Sequence, residues 1–492
     1  MTLDSSERRT TAPTRPGTDA VTATAAPHMK RVLGLPALVF FGLAYMVPLT
    51  VWTTYGVVTN ETSGHLPAAY IVTTAAMLLT ALSYGRMAVA MPVAGSAYAY
   101  ARKAFGGKTG FIVGWGLLLD YLFLPMICYL AIGLYMHDFF PSIPMSLWII
   151  GSVVLVTSLN ILGMRVLTGV NLTIVAAQFV FIAVFIVMAV RQIAADGAQP
   201  DFVAPFYSSS FSFPAVVAGA AILALSFLGF DAVSTLSEET TDAKRRIPQA
   251  ILLCALVGGA LYILQSYVGH LVFPNWQSFE NVDVATVDVM TYAGGAFLNT
   301  FFTAAYVTGC FACAAASQAS VSRILFAMGR DNVLPHRVFG TLHPRLLTPV
   351  LPNIIVGVVG LSALVVPLGL ASSMISFGAL AAFTFVNLSV IKLFARGARG
   401  GKVLTLIVLP ALGVIFTLYL WTSLSGTTFT VGLSWLAIGF AYLLYLTRGL
   451  RREPPAMAMS EAPEAEGEPS ADHTASPQPV GSPMNHHRKD FP

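Results

Sequence analysis

Phe227-Leu228-Gly229-Phe230-Asp231 interrupts an apolar stretch that begins at Ala218. The segment continues through Glu238-Glu239-Thr240-Thr241 into the basic run Lys244-Arg245-Arg246-Ile247-Pro248. A glycine followed by a carboxylate is unfavourable inside a stretch long enough to cross a membrane, because lipid offers neither hydrogen bonds nor solvation. A position of this kind is typical of a binding site.

The composition indicates a membrane protein. Hydrophobic residues make up 56% of the chain and charged residues only 10%, whereas about 25% of residues are charged in soluble proteins. The apolar residues fall in runs of roughly the 20 residues that a membrane-crossing helix needs. The sequence therefore predicts an all-α membrane protein with about twelve transmembrane helices, at 33–57, 66–91, 109–136, 143–164, 168–190, 214–237, 247–273, 295–324, 350–368, 370–394, 403–423 and 429–447.

The loops between these spans alternate in charge, and cytoplasmic loops of membrane proteins collect Lys and Arg. A cytoplasmic N-terminus places inside the cations Lys30, Arg31, Arg102, Lys103, Lys108, Arg165, Lys244, Arg245, Arg246, Arg323, Arg330, Arg337, Arg345, Lys392, Arg396, Arg399, Lys402, Arg448, Arg451 and Arg452. The outside loops hold one cation, Arg191, and the acids Glu61, Asp138, Asp196, Asp201, Glu280, Asp283 and Asp288. Both termini are therefore expected in the cytoplasm. The net charge of +4 follows from this bias and does not indicate a nucleic-acid partner.

The two ends of the chain differ from its middle. Residues 1–29 are rich in Thr, Ala and Pro, and residues 451–492 are rich in Pro, Glu, Ser and Ala. Such compositions bury too little apolar surface to order a chain, so both are predicted to be disordered cytoplasmic tails. Residues 30–450 then form one transmembrane domain.

The cysteines and histidines predict no metal site and no cofactor. All four cysteines, Cys128, Cys254, Cys310 and Cys313, fall within predicted spans. The Cys310-x-x-Cys313 pair lies among Ala and Gly, where small residues let helices approach closely, so packing is favoured over redox or metal chemistry. The histidines lie in loops, at helix ends or in the tails.

The first span contains a second interruption, Gly42-Leu43-Ala44-Tyr45-Met46-Val47-Pro48. Pro48 removes a hydrogen bond, and its ring clashes with the carbonyl of Ala44, so the helix is expected to unwind. Interrupted helices at corresponding positions of two halves indicate an inverted-repeat transporter with its substrate at the membrane midplane. The predicted fold is a five-plus-five inverted repeat with helices 1 and 6 broken, spanning about 33–190 and 214–394, followed by two extra helices. A packing kink is the alternative, since Gly and Pro are common in membrane helices.

Three blocks of sequence carry a family resemblance. The first runs from Tyr84-Gly85-Arg86 through Met91-Pro92-Val93-Ala94-Gly95-Ser96 to Tyr98-Ala99-Tyr100. The second is the Gly229-Phe230-Asp231 segment with its Glu-Glu-Thr and Ile-Pro continuation, and the third runs from Ser322 to Pro335. Together they resemble the amino acid, polyamine and organocation permease superfamily over most of residues 30–400.

Shorter blocks resemble one branch of that superfamily, the bacterial putrescine importers. These are Leu119-Asp120-Tyr121-Leu122-Phe123, Phe230-Asp231-Ala232-Val233-Ser234 and the segment from Phe383 to Ser389. Amino acid permeases usually carry a Gly-small-Gly stretch in the first break, whose amides receive a substrate carboxylate. Here Leu43 and Ala44 follow Gly42 without a second glycine, which suits a substrate that lacks a carboxylate.

Two intramembrane acids are the candidates for binding a cation or a coupled proton. Asp231 lies just beyond the break between aromatic rings, where it can pair with an ammonium group; its alternative role is to cap the following half-helix. Asp120 can bind the second amine, carry a proton or hydrogen-bond a neighbouring helix. The predicted substrate-binding residues are Gly42, Leu43, Ala44, Tyr45, Asp120, Tyr121, Phe227, Gly229, Phe230 and Asp231.

Other polar and aromatic residues receive weaker assignments. Glu238 and Glu239 lie at the cytoplasmic end of the sixth span within reach of the basic run, so a gate ion pair is favoured over substrate binding. The predicted coupling or gate residues are Asp231, Asp120, Glu238 and Glu239. Trp52, Tyr306 and Ser317 are further candidates for the cavity wall, with packing as the alternative role.

The sequence as a whole predicts a secondary transporter in the cell membrane. Its expected activity is import of putrescine or a related amine by alternating access, driven by the membrane potential or by protons. A neutral or cationic amino acid permease is the alternative. A membrane enzyme has no support from a nucleophile with a base, a metal cluster or a phosphate loop. Sensing without transport is disfavoured by the lack of an attached signalling domain. The expected partners are the small-molecule substrate, protons and the lipid bilayer.

Overall fold

The computed structural model describes residues 33–91, 96–162, 167–197, 200–238, 240–344, 346, 348–400, 402–455 and 457. Within these ranges the chain forms helices, turns and one isolated parallel bridge between Leu33 and Thr240. The α-helices are α1 (Leu35–Met46), α2 (Tyr55–Glu61), α3 (Leu66–Ala90), α4 (Ser96–Phe105), α5 (Gly107–Phe139), α6 (Met145–Leu162), α7 (Leu167–Ala195), α8 (Phe213–Ile222), α9 (Ala243–Val272), α10 (Ala285–Arg330), α11 (His336–Phe339), α12 (Val350–Gly360), α13 (Leu368–Phe394), α14 (Leu409–Thr422) and α15 (Gly426–Leu446).

The described helices confirm an all-α membrane protein that crosses the bilayer many times. Among the described residues, eleven segments are long and apolar enough to cross a membrane. The predicted span at 350–368 is shorter than expected, because α12 ends at Gly360 and a 3-10 turn covers Leu361–Leu364. Pro367 then caps the start of α13, so one apolar run divides into two helices.

The helix predicted at 295–324 extends in both directions. α10 begins at Ala285 and continues to Arg330, and its backbone is non-helical at Gly294 and Gly295. Gly295 has a φ of 63°, which favours glycine. A short helix before this kink therefore leads into the long membrane span.

The first span is broken at the end of the predicted interruption that runs from Gly42 to Pro48. Gly42, Leu43 and Ala44 remain helical, and α1 ends at Met46. Val47 has a φ of 52°, an unusual value for a β-branched residue, and a 3-10 turn over Thr50–Trp52 leads into α2. The cause is Pro48, because a proline disfavours helical geometry in the residue before it.

The sixth span is broken around Gly229. α8 ends at Ile222, a 3-10 turn covers Leu223–Phe227, and a second 3-10 helix runs over Ala232–Glu238. Gly229 has a φ of 118°, which L side chains rarely adopt. The break therefore coincides with the glycine that precedes the intramembrane acid.

The packing of the helices places both breaks inside the bundle. α9 packs along α3 and α1, while α5 packs along α10 and α13. Gly259 of α9 lies against Thr74 of α3, and Gly378 of α13 lies against the backbone of Gly116 in α5. Small residues let these helices approach closely, as is common in membrane proteins.

The predicted N-terminal tail, residues 1–29, lies outside the described residues, as do residues 456 and 458–492 of the predicted C-terminal tail. The described start of the C-terminal segment contacts the protein. Lys108 Nζ donates to the carbonyl of Leu450 at 2.7 Å, and the N–H of Met457 donates to Tyr98 Oη at 2.7 Å. Met457 is only 3% exposed, so this part of the segment is packed onto α4 and α5.

Candidate functional site

The two breaks contact each other directly. A Cβ added at Gly229 would lie 2.6 Å from Tyr45 Cδ1, 2.9 Å from the backbone nitrogen of Met46 and 3.0 Å from the carbonyl carbon of Tyr45. Only glycine lets the sixth span approach the first so closely. The two interruptions, which lie far apart in the sequence, therefore contact each other in the folded protein.

α9 satisfies carbonyl groups that the breaks leave without helical partners. Tyr262 Oη lies 2.9 Å from the carbonyl oxygen of Met46 and 2.9 Å from that of Ser226, so one side chain reaches both breaks. Gln265 Nε2 donates to the carbonyl of Pro48 at 3.0 Å. Unpaired carbonyls in a membrane interior are strongly unfavourable, so α9 stabilises the unwound backbone.

Further polar side chains hold each break from other directions. Thr50 Oγ1 lies 2.9 Å from the carbonyl of Met46 and 2.7 Å from that of Val47. Ser376 Oγ of α13 donates to the carbonyl of Ile222 at 2.8 Å and accepts from the N–H of Leu225 at 3.1 Å. These hydroxyls replace the hydrogen bonds that a continuous helix would make.

We expect Tyr262→Phe to destabilise the protein by about 1–3 kcal/mol, because it removes the phenol donor from the buried carbonyl of Ser226 and leaves that of Met46 with Thr50 Oγ1. Thermal unfolding of purified protein in detergent measures the loss. Tyr267→Phe is the matched control on the same helix, since the Tyr267 hydroxyl bonds the carbonyl of Phe202 at the exposed surface. Equal melting temperatures for the two variants would contradict a role of Tyr262 in holding the breaks.

A cavity of about 60 Å³ lies beside the joined breaks. This exceeds the roughly 10–15 Å³ that one water molecule needs. Its walls come from both breaks, from α5 and from α10, and its lining residues are Tyr45, Met46, Val47, Thr50, Thr53, Leu124, Ile127, Cys128, Ala131, Leu225, Leu228, Tyr306, Gly309, Cys310 and Cys313.

A second cavity of about 90 Å³ shares Tyr45, Val47, Leu124, Gly309 and Cys313 with the first. We call the first the upper cavity and the second the lower cavity. The lower cavity extends along α1, α7 and α10, and its remaining lining residues are Phe41, Ala44, Ile174, Val175, Gln178, Ala312, Ala316 and Ser317.

Aromatic side chains pack around Thr53 at the wall of the upper cavity. Tyr306 Oη donates to Thr53 Oγ1 at 2.7 Å, and Tyr135 Oη donates to the carbonyl of Trp52 at 3.0 Å. Trp52 is fully buried and stacks on Tyr55 with ring centroids 4.9 Å apart. Tyr306 therefore lies in the cavity wall, whereas Trp52 packs behind it.

The predicted binding residues of the first break divide into two groups. Ala44 lines the lower cavity, and Tyr45 lines both. Gly42 packs instead against Cys254 of α9 and Val233, and Leu43 is a buried helical residue of α1. Within the segment from Gly42 to Pro48, where unwinding is expected, the backbone opens at Val47, the residue before the proline.

The aromatic residues of the second break lie in the core. Phe227 packs edge-on against Tyr262 with ring centroids 5.6 Å apart, and Phe230 packs against Tyr84 and Phe383 at 5.6 Å and 5.4 Å. The cavity wall is formed instead by Leu225 and Leu228. Sequence reasoning missed these two leucines because nothing distinguishes them from lipid-facing residues.

Asp231 lies next to the cavity wall without lining either cavity. Its side chain is 9% exposed; Oδ1 accepts the N–H of Gly229 at 3.2 Å, and Oδ2 accepts the Tyr84 hydroxyl at 3.5 Å. The carboxylate therefore braces the break through the N–H of Gly229. In sequence this acid follows Gly229 by two residues and the wall residue Leu228 by three.

Asp120 lies one helical turn from the cavity on α5. It is 4% exposed and shares a face with the lining residues Leu124, Cys128 and Ala131, since residues four apart on a helix are neighbours. A Cβ added at Gly378 of α13 would lie 3.6 Å from its Cβ. Tyr121, its neighbour in sequence, is buried outside the cavity linings.

The predicted cytoplasmic gate is described in part. Glu239 and the side chain of Glu238 lie outside the described residues. Beyond them, the N–H of Thr241 donates to the carbonyl of Leu33 at 3.2 Å, and Arg246 donates to Thr241 Oγ1. The segment after the sixth span is thus tied to the start of the first.

Three of the cysteines gather at the upper cavity. Cys128, Cys310 and Cys313 line its wall, whereas Cys254 packs between α9 and α1. All four are free thiols. Among the described residues no group of three or more His, Cys, Asp or Glu side chains has metal-binding geometry.

Comparisons with known proteins assign the chain to a family. The sequence profile of the amino acid permease family matches residues 37–447. The low-affinity putrescine importer PlaP of Escherichia coli (strain K12) is 40% identical over 440 residues, which cover 88% of this chain and 97% of that protein. The branched-chain amino acid permease BcaP of Bacillus subtilis (strain 168) is 27% identical over 453 residues, covering 87% and 96% of the two chains. Cationic amino acid transporter 4 of Mus musculus is 28% identical over 392 residues, covering 74% and 60%. The chain therefore belongs to the amino acid permease family.

Proposed function

We propose that this protein is a secondary transporter that imports putrescine or a closely related amine. The single observation that carries the proposal is the hydrogen bond from the N–H of Gly229 to Asp231 Oδ1. In the second break, the protein's own carboxylate occupies an amide that would otherwise be open to the carboxylate of an amino acid. A break that already holds a carboxylate is suited to a cation.

The first break also favours an amine over an amino acid as the substrate. The N–H of Val47 donates to the carbonyl of Ala44, that of Thr50 donates to the carbonyl of Val47, and Pro48 has no N–H. Within Val47 to Thr50, only Leu49 keeps an N–H without an assigned acceptor in the described structure. Binding of a carboxylate at a helix break needs several converging N–H groups, so an amine without a carboxylate fits better.

The similarity to a putrescine importer over nearly its whole length supports the substrate class. In this proposal Asp231 pairs with one ammonium group once Tyr45 and Leu228 move aside, and Asp120 takes part in coupling. Residues 30–450 form the permease domain with its two inverted repeats, and both tails face the cytoplasm. Glu238 and Glu239 belong to the inner gate.

The membrane potential supplies the direction of transport. A negative interior contributes about 2.3 kcal/mol per elementary charge per 100 mV, so a diamine with two charges gains about twice that amount. Coupling to protons adds to this drive without being required. The outward acidic loops and inward basic loops agree with an N-terminus in the cytoplasm.

Uptake of radiolabelled putrescine into proteoliposomes tests the proposal. We expect saturable uptake that increases with an inside-negative potassium diffusion potential and that unlabelled diamines inhibit. Leucine, lysine and arginine are the competitors for the alternative permease function. Inhibition by these amino acids without inhibition by putrescine would assign the protein to amino acid transport.

A further inference from the structure

Gln178 is a buried polar side chain that the proposed mechanism does not yet use. It belongs to α7, is 2% exposed and lines the lower cavity. A Cβ on Gly309 of α10 would lie 2.5 Å from Gln178 Nε2, so this glycine makes room for the carboxamide. The side chain is therefore held at the wall between α7 and α10.

The carboxamide oxygen of Gln178 has no hydrogen-bond partner among the described residues. Buried polar atoms in proteins are nearly always hydrogen-bonded, because a missing partner is unfavourable by about 1–3 kcal/mol. A side-chain oxygen in a cavity wall gains a partner when a ligand with N–H groups enters. Rotation of the terminal amide also lets this oxygen turn toward the cavity.

The cavity walls otherwise offer little to a cation. None of the described residues that line the upper or lower cavity is an Asp, Glu, Lys, Arg or His. The lining instead supplies hydroxyls, thiols and this one carboxamide. An ammonium group in the lower cavity therefore has to be received by neutral oxygens, and Gln178 provides a strong acceptor.

We propose that Gln178 receives the ammonium group of the diamine that is not paired with Asp231, and thereby selects diamines over monoamines. The inference rests on the proposed function. A hydrogen bond to a charged group is stronger than one between neutral groups. Loss of the carboxamide should therefore weaken diamine binding more than monoamine binding.

The test compares putrescine with n-butylamine, which has the same carbon chain and one amine. In proteoliposomes, Gln178→Leu should raise the KM for putrescine about tenfold or more, while the inhibition constant of n-butylamine changes by less than about twofold. Gln178→Glu, which adds a negative charge at the same place, should lower the KM for putrescine. Gln192→Leu is the matched control, because Gln192 lies on the same helix and bonds Asp196 at the exposed surface.

Several outcomes would overturn the inference. An unchanged KM in Gln178→Leu, or equal weakening of both amines, would show that Gln178 does not receive the second ammonium group. If Gln178→Leu fails to reach the membrane, Gln178→Glu decides alone, and an unchanged or higher KM contradicts the inference. If the wild-type protein takes up no putrescine, both the proposed function and this inference are refuted. If the wild type takes up putrescine and substitution of Gln178 leaves the KM for putrescine unchanged, only this inference is refuted.

Discussion

Asp231→Asn should reduce putrescine uptake to background while leaving membrane insertion intact. The amide keeps an oxygen that can accept the N–H of Gly229, which Asp231 Oδ1 accepts at 3.2 Å, so the break remains braced. It loses the negative charge that the ammonium group needs. Initial rates of labelled putrescine uptake measure the effect, with protein amounts normalised by immunoblotting of the membranes.

Two companion variants separate charge from structure. Asp331→Asn removes a partly exposed carboxylate that pairs with Arg330 at 3.2 Å, and uptake should stay near the wild-type rate, since surface ion pairs contribute little. Asp231→Ala removes both charge and brace, so it should also lower thermal stability. Wild-type kinetics in Asp231→Asn would show that Asp231 only caps the break, and the cation would need another partner.

Gly229→Ala should both destabilise the protein and lower transport at least tenfold. The backbone there has a φ of 118°, and an L residue in a left-handed conformation is disfavoured by about 1–2 kcal/mol. The new methyl would also lie 2.6 Å from Tyr45 Cδ1, and such overpacking adds about 1–3 kcal/mol. Tyr45 must then shift, and it lines both cavities. Thermal unfolding in detergent and putrescine uptake measure the two effects.

Gly151→Ala is the matched control for this substitution. Gly151 lies in α6, its Cβ position has no heavy atom within 4 Å, and alanine favours helices over glycine. Its stability and uptake should equal or slightly exceed those of the wild type. If Gly229→Ala behaved in the same way, the close contact of the two breaks would not be needed for transport.

Hydropathy predicts where the chain crosses the membrane because every span has to be apolar and long enough to cross the lipid. Local chemistry also predicts that the helices break near Pro48 and at Gly229. The place of the first break is less predictable, since glycines mark both flexible backbone and close packing. Gly42 proves to be the second kind, with Cys254 of α9 against it.

The candidate site is predicted less completely than the fold. Carboxylates within apolar spans are rare in this sequence, so Asp231 and Asp120 are readily identified as candidate site residues. Neither lines a cavity, because each faces a neighbouring helix or break. The wall residues Leu225, Leu228 and Gln178 have no distinguishing local pattern. Their roles depend on the tertiary contacts of α7, α10 and the second break.

The position of Tyr262 has a consequence for how the two breaks move. A phenol carries a single hydrogen, yet two carbonyl oxygens lie 2.9 Å from the Tyr262 oxygen. Full bonding to one acceptor weakens the bond to the other, so the first and sixth spans compete for the same hydrogen. Any displacement of Met46 relative to Ser226 is then accompanied by a rotation of that hydroxyl. The O–H stretching band of Tyr262 in infrared spectra should therefore show which of the two spans accepts its hydrogen bond as the transporter cycles.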